Sequence, residues 1–108
     1  MTTYVDASAL LKLYIDEAEA QGAKVIVDGR HVKVPGRENG YFVGPTIVDQ
    51  VRPDMAIAQD EIFGPVLAIV RVPDVDEAIR VENASPYGNA ASVYTESGGV
   101  ARTVMERA

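Results

Sequence analysis

The stretch VLAIVRVPDVDE, residues 66–77, decides the fold class of this sequence. Residues 66–72 form an almost unbroken aliphatic run, which predicts a strand whose two faces are both covered. Asp74 then predicts the start of a helix, because a short acidic side chain can cap free backbone N–H groups. Glu77, three residues later, completes a capping-box-like pattern. A buried strand is therefore expected to lead directly into a helix.

The residues after this helix repeat the same order of elements. Pro86-Tyr87-Gly88 ends the helix, Ala90–Tyr94 predicts another strand, and Ser97 predicts the cap of a last helix from about Gly99. Alternating strands and helices are typical of α/β proteins, in which right-handed crossovers join parallel strands. We therefore expect an α/β sheet with parallel strands and flanking helices.

The N-terminal part of the chain predicts one more strand and one more helix. Thr2–Val5 has β propensity, and either Asp6 or Ser8 can cap the helix that the apolar spacing predicts over Ala9–Ala20. Gly22 is the residue expected to end that helix, because glycine readily adopts the left-handed conformation.

The middle of the chain predicts extended segments and loops. Val25–Val27 and Val32–Val34 flank Asp28-Gly29, a pair suited to a tight hairpin turn. A longer loop that includes Arg30-His31 is the alternative interpretation. Tyr41–Val51 is apolar but is interrupted by Gly44-Pro45. Because proline cannot donate to a central ladder, this segment is expected to lie at a sheet edge or to bend there.

Composition excludes several classes of protein. The chain has 108 residues, a formal net charge of −6 and no cysteine. This length predicts one domain over residues 1–108, and the acidic balance argues against a nucleic-acid partner. No apolar run is long enough for a membrane helix, so a cytoplasmic protein is expected. The missing thiol excludes disulfides, thiolate metal sites and a cysteine nucleophile.

One segment, QDEIFGPV at residues 59–66, is unusual for a simple turn. Asp60 and Glu61 precede Phe63 and a Gly-Pro kink, immediately before the predicted buried strand. Carboxylates at the mouth of such a strand often hold ligand hydroxyls, because crevices form outside strand ends. A solvated turn with a packed Phe63 is the alternative interpretation.

Elsewhere the sequence contains no complete catalytic constellation. His31, the single histidine, is expected to be a solvated loop residue, since a metal site needs several converging ligands. Asp6 is one carboxylate and is explained by helix capping. No glycine-rich phosphate loop or acyl-transfer serine motif is present. We therefore predict no catalytic residue in this chain.

The segment 61–66 resembles the Glu-Ile-Phe-Gly-Pro-Val motif of the aldehyde dehydrogenase superfamily. The stretches 40–47, GYFVGPTI, and 83–95, NASPYGNAASVYT, resemble motifs on either side of it. Details such as Asp28-Gly29-Arg30 are most similar to the methylmalonate-semialdehyde dehydrogenase branch, which forms acyl-CoA products with NAD. The resemblance covers about residues 14–108 and implies part of a catalytic domain.

This resemblance implies roles for a few residues. Glu61 matches the acid that holds the ribose hydroxyls of the nicotinamide half of NAD, and Phe63 matches the aromatic residue that packs beside that ribose and the nicotinamide ring. Gly64 and Pro65 shape the turn that presents both. The family's cysteine nucleophile, its dinucleotide-binding domain and its oligomerisation strand have no counterpart in this sequence. We expect a fragment that binds NAD weakly or not at all and has no activity alone.

The opening residues carry a second resemblance. TYVDASALLKLY, residues 3–14, is similar to the first strand and helix of PIN-domain ribonucleases and toxins, and Asp6 matches the first of their metal-binding acids. This likeness covers about the first 17 residues and implies a possible chimera. A PIN-derived ribonuclease and a non-catalytic assembly module are therefore the alternative functions. A homo-oligomer, most simply a dimer, is expected because the strand 66–72 lacks the neighbours that it has in the dehydrogenase family. Pairing of Thr2–Val5 with this strand is the alternative.

Overall fold

The computed structural model describes residues 7–108, which fall into two compact units. The first unit ends at Arg71 and the second spans Val72–Ala108. The predicted strand Thr2–Val5 and the candidate residue Asp6 lie outside the described residues. One domain over 1–108 therefore stays a prediction.

In the first unit, α1 spans Ala7–Ala20 and begins slightly earlier than the spacing predicts. Its buried side chains include Ile15 and Ala18. The helix ends at Ala20, and Gly22, two residues later, has a φ of 102°, which is the left-handed conformation that the sequence predicts. The N–H of Ala23 closes this end by donating to the carbonyl oxygen of Ala18 at 3.0 Å.

The described residues of the first unit form a three-stranded mixed sheet in the order β1-β2-β3. The strands are β1 (Lys24–Val27), β2 (Thr46–Asp49) and β3 (Val66–Ala68). β2 pairs antiparallel with β1 and parallel with β3. The short helix α2 (Ala56–Gln59) lies between β2 and β3 along the chain. The α/β class is confirmed, with one parallel pair.

The core of this unit lies between α1 and the sheet. Its members are small and medium aliphatic side chains, as expected for a sequence without Trp. Burying each of the larger ones contributes about 1.5–3 kcal/mol to folding. The buried cluster consists of Ile15, Ala18, Ala23, Val48, Val51, Met55 and Ile57.

Of the two interpretations of Asp28-Gly29, the longer loop is observed and the tight hairpin is not. Residues 32–34 form no strand, and β1 pairs with β2 instead. Gly29 packs against the backbone of Gly44, and its N–H donates to the hydroxyl of Thr46 at 2.9 Å. This long-range contact directs the chain away from a local turn.

The edge position predicted for the segment 41–51 is also wrong, because β2 is the central strand. Pro45 is tolerated since it comes immediately before the strand, whose ladder begins with Thr46. The N–H of Thr46 donates to the carbonyl oxygen of Pro65 at 2.9 Å. The other prediction for this segment is a bend at Gly44-Pro45, and this position lies immediately before β2.

The strand predicted over 66–72 is shorter and less buried than expected. β3 ends at Ala68, although the N–H of Ile69 still donates to the carbonyl oxygen of Val48 at 2.8 Å. The side chain of Leu67 is 57% exposed, so the prediction that both faces are covered is wrong for the described part of the chain. β3 is an edge strand of this sheet.

The second unit contains α3 (Val75–Asn83) and α4 (Gly98–Arg107). Both predicted caps are confirmed. Asp74 accepts from the N–H of Glu77 at 2.8 Å, and Ser97 accepts from the N–H of Val100 at 3.2 Å.

The strand predicted over residues 90–94 is wrong, because this segment lies exposed and unpaired in the second unit. Tyr94 is 95% exposed. The amide of Asn83 links α3 to α4 by donating to the carbonyl oxygen of Arg107 at 2.7 Å.

Within residues 7–108, each helix is too short or too polar to cross a lipid bilayer.

Candidate functional site

The candidate site is built on the loop between α2 and β3, residues 60–65. The loop begins where Asp60 leaves the helical conformation, with φ −90° and ψ 148°. The hydroxyl of Tyr14 on α1 donates to Oδ2 of Asp60 at 2.6 Å. This hydrogen bond ties the start of the loop to α1.

The other end of the loop also rests on α1. A Cβ atom added to Gly64 would lie 2.6 Å from Cδ1 of Leu11, which shows how closely the loop backbone approaches the helix. The N–H of Val66 donates to the carbonyl oxygen of Gly64 at 2.8 Å, which turns the chain into β3. The glycine of this motif therefore permits a close approach, as expected of a residue without Cβ.

Glu61 and Phe63 lie together in a surface pocket of about 210 Å³, here called the Glu61 pocket. Phe63 is 83% exposed, and Glu61 is exposed as well. Ligand sites for whole small molecules are usually about 300–1,000 Å³, so this pocket is large enough for only part of such a ligand. It is lined by Leu10, Leu11, Tyr14, Glu61, Ile62 and Phe63.

The two adjacent acids, Asp60 and Glu61, differ in their interactions. Asp60 is held by Tyr14, whereas Glu61 forms no ion pair with the side chains of residues 7–108. A carboxylate of this kind can accept hydrogen bonds from ligand hydroxyls. An exposed aromatic ring beside it can cover the apolar face of the same ligand.

The remaining candidates do not form a site in the described part of the chain. His31 is exposed, in agreement with a solvated loop residue. Among residues 7–108, no group of three His, Asp or Glu side chains could hold a metal ion. Asp6 falls outside that range, so its match to a metal-binding acid stays a prediction.

Arg30 has a structural role that its charge alone does not predict from the sequence. Its guanidinium contacts Asp16 at 2.6 Å, Glu19 at 3.2 Å and Asp28 at 2.7 Å, and only 12% of its side chain is exposed. Hydrogen bonds from this group lower the pKa of Asp28 to about 2. Arg30 thus joins the loop after β1 to α1.

Comparison with known proteins identifies the family to which the chain belongs. Residues 3–108 match the aldehyde dehydrogenase family, and the chain is a member of that family. The match begins before residue 14, where the resemblance in the sequence begins. The likeness of the first 17 residues to PIN domains stays a prediction.

The relatives point to one branch of this family. The chain is 48% identical to the mitochondrial methylmalonate-semialdehyde/malonate-semialdehyde dehydrogenase [acylating] of Rattus norvegicus, over 82% of the chain and 16% of that protein. It superimposes on the methylmalonate-semialdehyde dehydrogenase of Oceanimonas doudoroffii with a TM-score of 0.86 and 45% identity, over 93% of the chain and 20% of that structure.

A third relative was solved with a cofactor. The betaine aldehyde dehydrogenase of Staphylococcus aureus in complex with NAD+ gives a TM-score of 0.82 at 31% identity, over 96% of the chain and 21% of that structure. The chain therefore spans between about a sixth and a fifth of the length of these relatives.

Proposed function

We propose that this chain is a segment of an NAD-dependent, CoA-acylating methylmalonate-semialdehyde dehydrogenase and keeps part of its cofactor-contacting surface. The observation that carries the proposal is the Glu61 pocket, in which a carboxylate and an exposed aromatic ring lie together. The identity of 48% to the rat enzyme supports the branch. The complex of the Staphylococcus relative with NAD+ supports the cofactor.

The residues of the pocket would serve the cofactor in different ways. NAD, when bound, supplies a hydride acceptor. Glu61 would accept hydrogen bonds from its ribose hydroxyls, and Phe63 would pack beside the ribose. The hydrogen bond from Tyr14 to Asp60 would hold the loop in place. With no cysteine in its sequence, the chain has no thiol to attack an aldehyde.

Binding of NAD is expected to be weak. The Glu61 pocket contacts only a part of a dinucleotide, and that contact must offset the loss of translational and rotational freedom. We expect a Kd no better than about 1 mM, equivalent to roughly −4 kcal/mol. Isothermal titration calorimetry with NAD+ measures this value, and Glu61→Ala is expected to abolish the remaining binding.

The control for this experiment is Glu96→Ala, which removes one exposed carboxylate from the second unit. This variant is expected to bind NAD+ as the parent chain does. Micromolar affinity that disappears in Glu61→Ala would make the chain a cofactor-binding protein in its own right. Weak binding that is identical in Glu61→Ala and Glu96→Ala would contradict the role given to Glu61.

Assembly into a dimer is proposed from the exposed edge of the sheet. β3 has a partner strand on one side only among the described residues, and Leu67 on it is 57% exposed. Covering apolar surface contributes about 25 cal/mol per Å², and a two-fold pair is the simplest way to cover one patch. A cytoplasmic location stays a prediction.

Light scattering over a range of concentrations tests the dimer. The parent chain is expected at twice the mass of one chain, and Leu67→Lys is expected at the monomer mass, because a charge would be buried in the contact. Gln59→Lys, an exposed residue at the end of α2, is the control. Removing residues 1–5 tests whether they cover β3 instead. A parent chain that stays monomeric at high concentration and melts cooperatively would rule out the dimer.

A further inference from the structure

A second pocket in the first unit collects positive charge in an acidic protein. The chain has 10 Lys and Arg residues and a net charge of −6. Four of these cations and the single histidine line a cavity of about 240 Å³, here called the basic pocket. One carboxylate, that of Glu38, lines the same cavity. Its charged and titratable lining residues are Lys12, Arg30, His31, Lys33, Arg37 and Glu38.

Three of these cations lack an acidic partner among the residues that the structure describes. Arg30 is neutralised by Asp16, Glu19 and Asp28, which do not line the pocket. Across residues 7–108, the side chains of the other three form no ion pair. By contrast, four arginines outside the pocket are paired with carboxylates. These three cations are Lys12, Lys33 and Arg37.

Glu38, the acid in the pocket, competes little for these cations because its carboxylate accepts hydrogen bonds from backbone N–H groups. Oε1 of Glu38 accepts from the N–H of Gly36 at 2.9 Å. Hydrogen bonds from its own N–H and from that of Gly36 lower the pKa of Glu38. The carboxylate is thus held by backbone groups of its own turn and forms no ion pair with the described cations.

The loop that carries the cations has a defined shape. The N–H of Arg37 donates to the carbonyl oxygen of Val34 at 2.9 Å, and the N–H of Gly40 donates to that of Arg37 at 2.9 Å. A Cβ on Gly40 would lie 2.3 Å from the ring of Phe42, so this ring packs directly on the loop. Tyr41 lines the same pocket and is 79% exposed.

We propose that the basic pocket binds the phosphate groups of a nucleotide, with Tyr41 stacking on the base. Unpaired Lys and Arg side chains are the usual ligands of phosphate. Exposed aromatic rings next to such cations stack on nucleotide bases. The net charge of −6 opposes the approach of large polyanions, such as nucleic acids, whereas a small anion that enters the pocket meets the local cations.

Calorimetry at low salt with ADP, tripolyphosphate and adenosine tests this proposal. ADP and tripolyphosphate are expected to bind and adenosine is not. Affinity for ADP should fall as salt is raised, because the attraction is between charges. Tripolyphosphate has no ribose, so its binding does not depend on the role proposed for Glu61.

Two sets of variants locate the site. Lys33→Gln with Arg37→Gln is expected to weaken the binding of ADP and of tripolyphosphate at least about tenfold, since each ligand loses charge-assisted hydrogen bonds. Tyr41→Ala is expected to weaken ADP at least about fivefold and to leave tripolyphosphate unchanged. Lys24→Gln with Arg102→Gln removes the same amount of charge from exposed positions outside the pocket and is the control.

Several results would overturn the proposal. One is the absence of ADP and tripolyphosphate binding up to about 5 mM, which corresponds to roughly −3 kcal/mol. Another is a loss of affinity that is equal in the double variant and in its control, which would indicate a general charge effect. A Tyr41→Ala variant that binds ADP as tightly as the parent chain would exclude a nucleotide site.

Discussion

Replacing Gly29 with alanine is expected to lower the free energy of unfolding by at least about 3 kcal/mol. A Cβ at this position would lie 2.0 Å from the carbonyl oxygen of Gly44 and 2.3 Å from its carbonyl carbon. Both are backbone atoms, so a side-chain rotation cannot relieve the overlap. The two segments would have to move apart.

The movement would also break hydrogen bonds that hold the central strand. The N–H of Gly29 donates to the buried hydroxyl of Thr46 at 2.9 Å, and the N–H of Gly44 donates to the carbonyl oxygen of Gly29 at 2.9 Å. A buried donor without a partner costs about 1–3 kcal/mol. Since natural domains have only about 5–15 kcal/mol of stability, much of the chain is expected to unfold.

Urea unfolding followed by far-UV circular dichroism measures this effect. Gly88→Ala is the matched control, because a Cβ at Gly88 meets no atom within 4 Å. The control is expected to differ from the parent chain by no more than about 0.5 kcal/mol. A Gly29→Ala variant with an unchanged midpoint would show that the contact with Gly44 is not made in solution.

The second large effect concerns activity. The chain is expected to oxidise no aldehyde, with a rate several orders of magnitude below that of a complete family enzyme. The reason is chemical: without a thiol no covalent thiohemiacetal can form, and the sequence has no cysteine. The assay follows NADH absorbance with methylmalonate semialdehyde or malonate semialdehyde, NAD+ and CoA.

The rat methylmalonate-semialdehyde dehydrogenase, to which the chain is 48% identical, is the positive control for this assay. Heat-denatured chain provides the blank. NADH formation above that blank, in proportion to the amount of chain added, would refute the prediction. Such a result would mean that a group other than a thiol attacks the aldehyde.

Local signals in the sequence predicted their structures well. Asp74 and Ser97 cap their helices, and Gly22 is left-handed just after α1, because each of these features depends on residues only a few positions away. At Asp28-Gly29 the longer loop forms and the tight hairpin does not, since Gly29 packs against Gly44, a residue far along the chain. The strand over residues 90–94 failed because the structure supplies it with no partner strand.

The candidate site shows the same division. The sequence motif at residues 61–66 predicted Glu61 and Phe63 as site residues, and both line one pocket in the structure. The hydrogen bond from Tyr14 to Asp60 joins residues 46 positions apart, and no periodicity or turn signal in the sequence predicts such a contact. The sequence does not predict the basic pocket for a related reason, because Lys12 on α1 and Lys33 line one pocket only in the folded chain.

Amide chemical-shift mapping by NMR during a titration with NAD+ shows whether the cofactor contacts the Glu61 pocket. We predict fast-exchange shifts centred on residues 61–63 and on Tyr14, with a Kd no better than about 1 mM. The same titration of Glu61→Ala should leave these amides unmoved. Absence of any shift at 61–63 at about 10 mM NAD+, or shifts there that persist unchanged in Glu61→Ala, would contradict this contact.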